Sequence, residues 1–126
     1  MQFLSNDDEK KIKKQYSFYK KHNLIDPKII HLLDDLNSIK GLATIYSCQG
    51  HLNNPSYITF SVSMEMIFFA TEAIHDLILI NPDLEVIWYG LYPYNIGDKQ
   101  QYYNAITLIS NNGIDYLYDL LYKLKD

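Results

Sequence analysis

The sequence predicts an α+β domain: two N-terminal helices, then strand–strand–helix twice, forming an antiparallel or mixed four-stranded sheet with helices packed on one face. Three observations carry this class. The apolar period is helical up to Gly41, changes to two just after it, and alternates between helix and strand from there to the end. Turn residues fall where the period changes, at Gly41, Gly50 to Pro55, Asn81-Pro82, Asn95 to Asp98 and Asn111 to Gly113. A length of 126 residues, with 48% apolar and 21% charged residues, suits one folded domain over 1–126, read as a basic helix in 1–23 and a body in 24–126.

The first helix spans about Asn6 to Lys21. Ser5 with Asp8 three residues on resembles a capping box, and acids at the start with Lys20 and Lys21 at the end suit the helix dipole. Ile12, Tyr16 and Tyr19 share its apolar face. Asp26 is expected to cap a second helix with Pro27 at its first position. Its stripe is Ile29, Ile30, Leu33, Leu36 and Ile39, and Gly41 stands where a left-handed C-terminal residue is wanted. Leu42 to Ser47 and Tyr57 to Val62 then form a hairpin around a turn-rich segment from Cys48 to Ser56. Ser63 caps a third helix from Met64 to about Ile80, with Ile67, Thr71, Ile74, Leu77 and Ile78 inward. Leu84 to Tyr92 and Tyr102 to Ile109 are strands, and a last helix, Ile114 to Lys125, turns Ile114, Leu117, Leu121 and Leu124 inward.

Charge narrows the function classes. All eleven basic residues are lysine, and the absence of arginine argues against sequence-specific nucleic-acid recognition, because arginine is the side chain suited to bidentate phosphate and guanine contacts. Six of the lysines precede residue 22 against three acids, so a basic first helix adjoins an acidic body. Its bland reading is a solvated helix face. A single cysteine permits no intrachain disulfide, and no export leader or membrane-length apolar run is visible, so a soluble cytoplasmic protein without a membrane partner is expected.

The candidate site is the run Ser47-Cys48-Gln49-Gly50-His51 at the end of the first strand. A soft nucleophile, an imidazole and a glycine that permits close backbone approach meet there. Cys48 and His51 are half of a zinc site, and no further ligand pair is evident in the sequence, so neither a metal nor another cofactor is expected. Cys48 is either a nucleophile activated by His51 or a small buried hydrophobe. A third option is a backbone nest in which the loop amides, with Thr59 and Ser61 on the adjoining strand, hold a phosphate or a ligand amide. Twelve tyrosines, several near strands, suggest a second surface, with Tyr89, Tyr92, Tyr94 and Tyr102 as its partner-binding residues, either for a host protein or for another copy of the chain.

The run Thr44 to His51, after a helix and before the strand Tyr57 to Val62, resembles small uncharacterised bacteriophage-type proteins that carry Ser-Cys-x-Gly-His after a strand. It is also distantly similar to the tRNA wybutosine-synthesis methyltransferase family, whose loop reads Ser-Cys-x-Gly-Arg. Ser47, Cys48 and Gly50 match that pattern, and His51 stands in place of its arginine. The first resemblance implies an accessory binding protein in the host cytoplasm that captures a host protein or nucleotide-like ligand, as an inhibitor of host defence. The second implies a nucleotide- or tRNA-modifying enzyme working through Cys48 and His51. An oligomeric structural protein is the remaining alternative.

Overall fold

The computed structural model describes residues 3–51 and 53–125. Leu52, inside the predicted 48–56 turn segment, lies outside the described residues. Helix α1 (Asn6–Lys21) begins as its sequence dictates: the Ser5 hydroxyl accepts the Asp8 N–H at 3.1 Å. A 3-10 turn (Pro27–Ile29) leads into α2 (Ile30–Asn37), followed by strands β1 (Leu42–Cys48) and β2 (Ser56–Val62). A second 3-10 turn precedes α3 (Ile67–Ile80). Strands β3 (Glu85–Ile96) and β4 (Lys99–Ser110) and helix α4 (Asp115–Leu124) complete the order.

The sheet is antiparallel throughout, ordered β1-β2-β4-β3. Two strand–strand–helix units thus meet along their inner strands β2 and β4, and α3 packs against α4. The second hairpin is longer than its turn signals suggested. Ile96 pairs with Lys99, leaving only Gly97 and Asp98 as the turn.

Helices α2, α3 and α4 form the expected layer on one face, over Leu42, Ile58, Phe60, Ile106 and Leu108. The first helix differs from the expectation of helices on one face alone. Ile12 of α1 packs with Leu4, Ala43, Tyr94 and Tyr103, and Ala43 points oppositely to Leu42 because successive strand residues alternate. Helix α1 therefore covers part of the second face and reaches beyond the β1 edge to α2, where the Tyr16 hydroxyl donates to Asp34 at 2.9 Å.

Two further expectations are corrected. Helix α2 ends at Asn37, so Gly41 is not its cap. Gly41 sits in the turn into β1 at φ +86°, where a Cβ would come within 2.6 Å of Ser63 Oγ and Met66 Cγ. Neither Asp26 nor Ser63 caps a helix through its side chain. The Asp26 carboxylate is turned instead toward the β1–β2 loop.

Candidate functional site

The loop after Cys48 is tied to the segment before α2 by two reciprocal hydrogen bonds. The Gln49 N–H donates to Asp26 Oδ2 and the Lys28 N–H donates to Gln49 Oε1, each at 3.0 Å. Farther along, His51 and Asn54 exchange backbone hydrogen bonds at 3.2 and 2.7 Å, which closes the tip of the loop. Gly50 lies between these ties at φ +92°, a conformation side chains rarely adopt, with the Ser56 amide 3.2 Å from where a Cβ would be. The loop is thereby held rather than hanging free.

This anchoring brings Asp26 beside the two residues singled out in the sequence. Ligating atoms of Asp26, Cys48 and His51 all lie within 4.8 Å of one another, and His51 Nε2 is 3.9 Å from Asp26 Oδ2. Two tyrosines flank the group. Burial holds the Tyr57 hydroxyl above its usual range, and the nearby Cys48 and Asp26 push the same way. Burial likewise pushes Tyr116 up to about 12, against a hydrogen bond with Ser56 that acts in the other direction. The Tyr116 hydroxyl and the Ser56 hydroxyl share that hydrogen bond at 3.4 Å.

In front of the loop lies a cleft of about 560 Å³. Three chain segments line it: Lys28 before α2, residues 49–51 and 53–56 of the hairpin loop, and Asn111 with Gly113 before α4. The residues that line it carry side-chain amides at Gln49, Asn53, Asn54 and Asn111, an ammonium at Lys28 and an imidazole at His51. No family model, curated protein or solved structure matches the chain.

Of the seven residues expected to bind a ligand, Gln49, Gly50 and His51 line this cleft. Cys48 stands behind them, half-buried at the strand end, and Ser47 is a ladder residue opposite Ile58. Thr59 and Ser61 lie elsewhere. Both are buried on the second sheet face, where Thr59 shares a 2.8 Å hydrogen bond with Thr107 and Ser61 donates to the Asn104 carbonyl. The four tyrosines read as a partner surface are also dispersed. Tyr94 is buried, Tyr92 bonds to Thr107 across the second face, Tyr89 bonds to Thr71 of α3, and Tyr102 is about half exposed.

Tyr46 explains part of this arrangement. From β1 its ring approaches Tyr92 and Tyr94 of β3, and its hydroxyl donates to the Pro93 carbonyl. The two outer strands are thus drawn toward each other over the second face, and Tyr46, Tyr92 and Tyr94 meet on the inside of that curl. Sequence reasoning missed Asp26, Lys28 and Asn111 as site residues. Asp26 had a sufficient local explanation as a cap, and nothing in the local pattern brings residues 28 or 111 beside residue 49.

Proposed function

We propose that the protein captures a small polar ligand of nucleotide character in the cleft beside the β1–β2 loop. The observation that carries this reading is the convergence of Lys28, Gln49, His51, Asn53, Asn54 and Asn111 from three separate segments on one concavity. Its volume falls in the range of small-molecule sites, roughly 300–1,000 Å³. The amides offer donors and acceptors for a base or sugar edge, and Lys28 supplies a point charge for a phosphate. The resemblance of the loop to bacteriophage-type proteins supplies a setting, in which capture of a nucleotide signal blunts a host defence.

Calorimetric titration with mono-, di- and cyclic nucleotides and with S-adenosylmethionine tests the reading. Saturable binding that Lys28→Ala weakens at unchanged melting temperature is the expected result. No binding at millimolar ligand, or binding indifferent to Lys28→Ala, overturns it. A second reading, a nucleotide- or tRNA-modifying enzyme working through Cys48 and His51, is favoured by the Asp26 carboxylate beside them, and turnover of a ligand in the same panel separates it from simple capture. Self-association is favoured by a different surface. Phe68, His75 and Leu79 share an exposed face of α3 and Trp88 stacks on His75, so a mass measurement in solution tests that reading.

A further inference from the structure

We propose that Asp26, Cys48 and His51 form a zinc site with one coordination position left open beside the cleft. The site goes beyond ligand capture and stands without it. The expectation of no metal rested on the want of a further ligand pair in the sequence, and the fold supplies a third ligand, Asp26, from a distant stretch of chain. Thiolate, imidazole and carboxylate are the zinc donor set, and three protein ligands with an open fourth position describe a reactive zinc centre rather than a closed structural one.

The geometry fits after a small contraction. Zinc bonds of 2.0–2.3 Å at tetrahedral angles put neighbouring ligand atoms about 3.4–3.6 Å apart. Here the three atoms lie within 4.8 Å, and the imidazole–carboxylate pair is already at 3.9 Å. His51 is exposed at a loop tip, so its side chain has room to change rotamer without disturbing the core. The surroundings hold the ligands in place. The Gln49 N–H fixes Asp26 Oδ2, and the β1–β2 ladder, which pairs Cys48 with Tyr57, fixes the cysteine. His51 also lines the cleft, so a water or an anionic ligand group reaches the fourth position from that side.

Titration of the chelator-treated full chain with cobalt(II), and then with zinc in competition, tests the proposal. The expected result is one equivalent bound, with the thiolate-to-cobalt charge-transfer absorption and the intense visible bands of tetrahedral cobalt. Cys48→Ser should abolish the charge-transfer band. Asp26→Asn and His51→Gln should each weaken affinity by no less than the roughly 10–100-fold that loss of an outer hydrogen-bond partner costs a metal site. Absence of saturable one-equivalent binding overturns the proposal. So does a cobalt affinity unchanged in both Asp26→Asn and His51→Gln, which would mark binding by a lone thiol. His51→Gln lies on the exposed loop tip and keeps the test decisive if Asp26→Asn fails to fold. Nucleotide titration in the presence of chelator reads the capture function separately.

Discussion

Replacing Glu9 by alanine should loosen the first helix from the sheet. Glu9 is buried on α1, 2.6 Å from the Lys13 ammonium and 3.0 Å from the Gly41 N–H, and Lys13 also donates to the Ile39 carbonyl at 2.8 Å. Two side chains of one helix thus hold the whole turn between α2 and β1. Breaking a fully buried ion pair costs about 3–5 kcal/mol, because the remaining charge is stranded. The Lys13 side chain is 23% exposed and keeps its carbonyl partner, so we place the loss for Glu9→Ala at about 2–3 kcal/mol. At this chain length that is a fall in melting temperature of roughly 6–18 °C. A double-mutant cycle with Lys13→Ala isolates the pair, and urea denaturation is the assay. The coupling energy should reach about 1–2 kcal/mol, against about 0.3–0.5 kcal/mol for the exposed Asp7–Lys11 pair on the same helix. A Glu9–Lys13 coupling no larger than that of Asp7–Lys11 would refute the reasoning and detach the first helix from the fold's stability.

The other predictions concern the core, alkaline pH and the loop. Leu33 is fully buried, so Leu33→Ala should cost about 2–5 kcal/mol by urea denaturation, and a loss under about 0.5 kcal/mol would put the α2 stripe outside the core. Tyr16, Tyr94, Tyr103 and Tyr116 are all held above the ordinary tyrosine value of 10.0, in each case chiefly by burial. Their folded forms keep protons that the unfolded chain releases, so the stability these four groups contribute is fully present below pH 10 and is lost as pH rises toward 12 and beyond. Tyrosinate absorbance from these residues should therefore rise together with loss of far-ultraviolet circular dichroism, and complete ionisation near pH 10 with the dichroism intact would contradict it. Gly50→Val should cost ligand or metal affinity more than stability, since its strain falls on a surface loop at φ +92°. Equal losses in chemical denaturation and in binding would make the loop a structural element.

Local signals were legible where one short pattern had one outcome. The Ser5 cap, the Leu33 and Leu36 stripe and both hairpins follow directly from period and turn chemistry. Periodicity does not say which side of a sheet a helix takes. The Ile12 and Tyr16 face of α1 would suit either side, and its place was decided by Ala43, Tyr94 and Tyr103, residues small or aromatic enough to receive it. Residues 95–98 read as turn because Asn, Gly and Asp favour turns, yet cross-strand pairing extends to Ile96 and Lys99. Within the candidate site, Gln49, Gly50 and His51 were visible as a loop with chemistry. Asp26 was not, because a helix-capping carboxylate and a loop-binding one look alike in sequence, and the Gln49 amide that claims it is 23 residues away.

The irregularity of β3 decides how copies of this protein can meet. An outer strand of twelve residues is a long template for main-chain pairing with another molecule. Here the register slips between Ile87 and Gly90, Tyr89 adopts φ +51°, and Pro93 brings no N–H to the strand. A neighbouring strand laid along β3 meets an interrupted row of donors and acceptors, and the opposite outer strand is drawn inward through Tyr46. Fibre-like growth by strand addition is thereby discouraged at both margins. Any association on the β3 side would fall to side chains, the indole of Trp88 and the exposed face of α3.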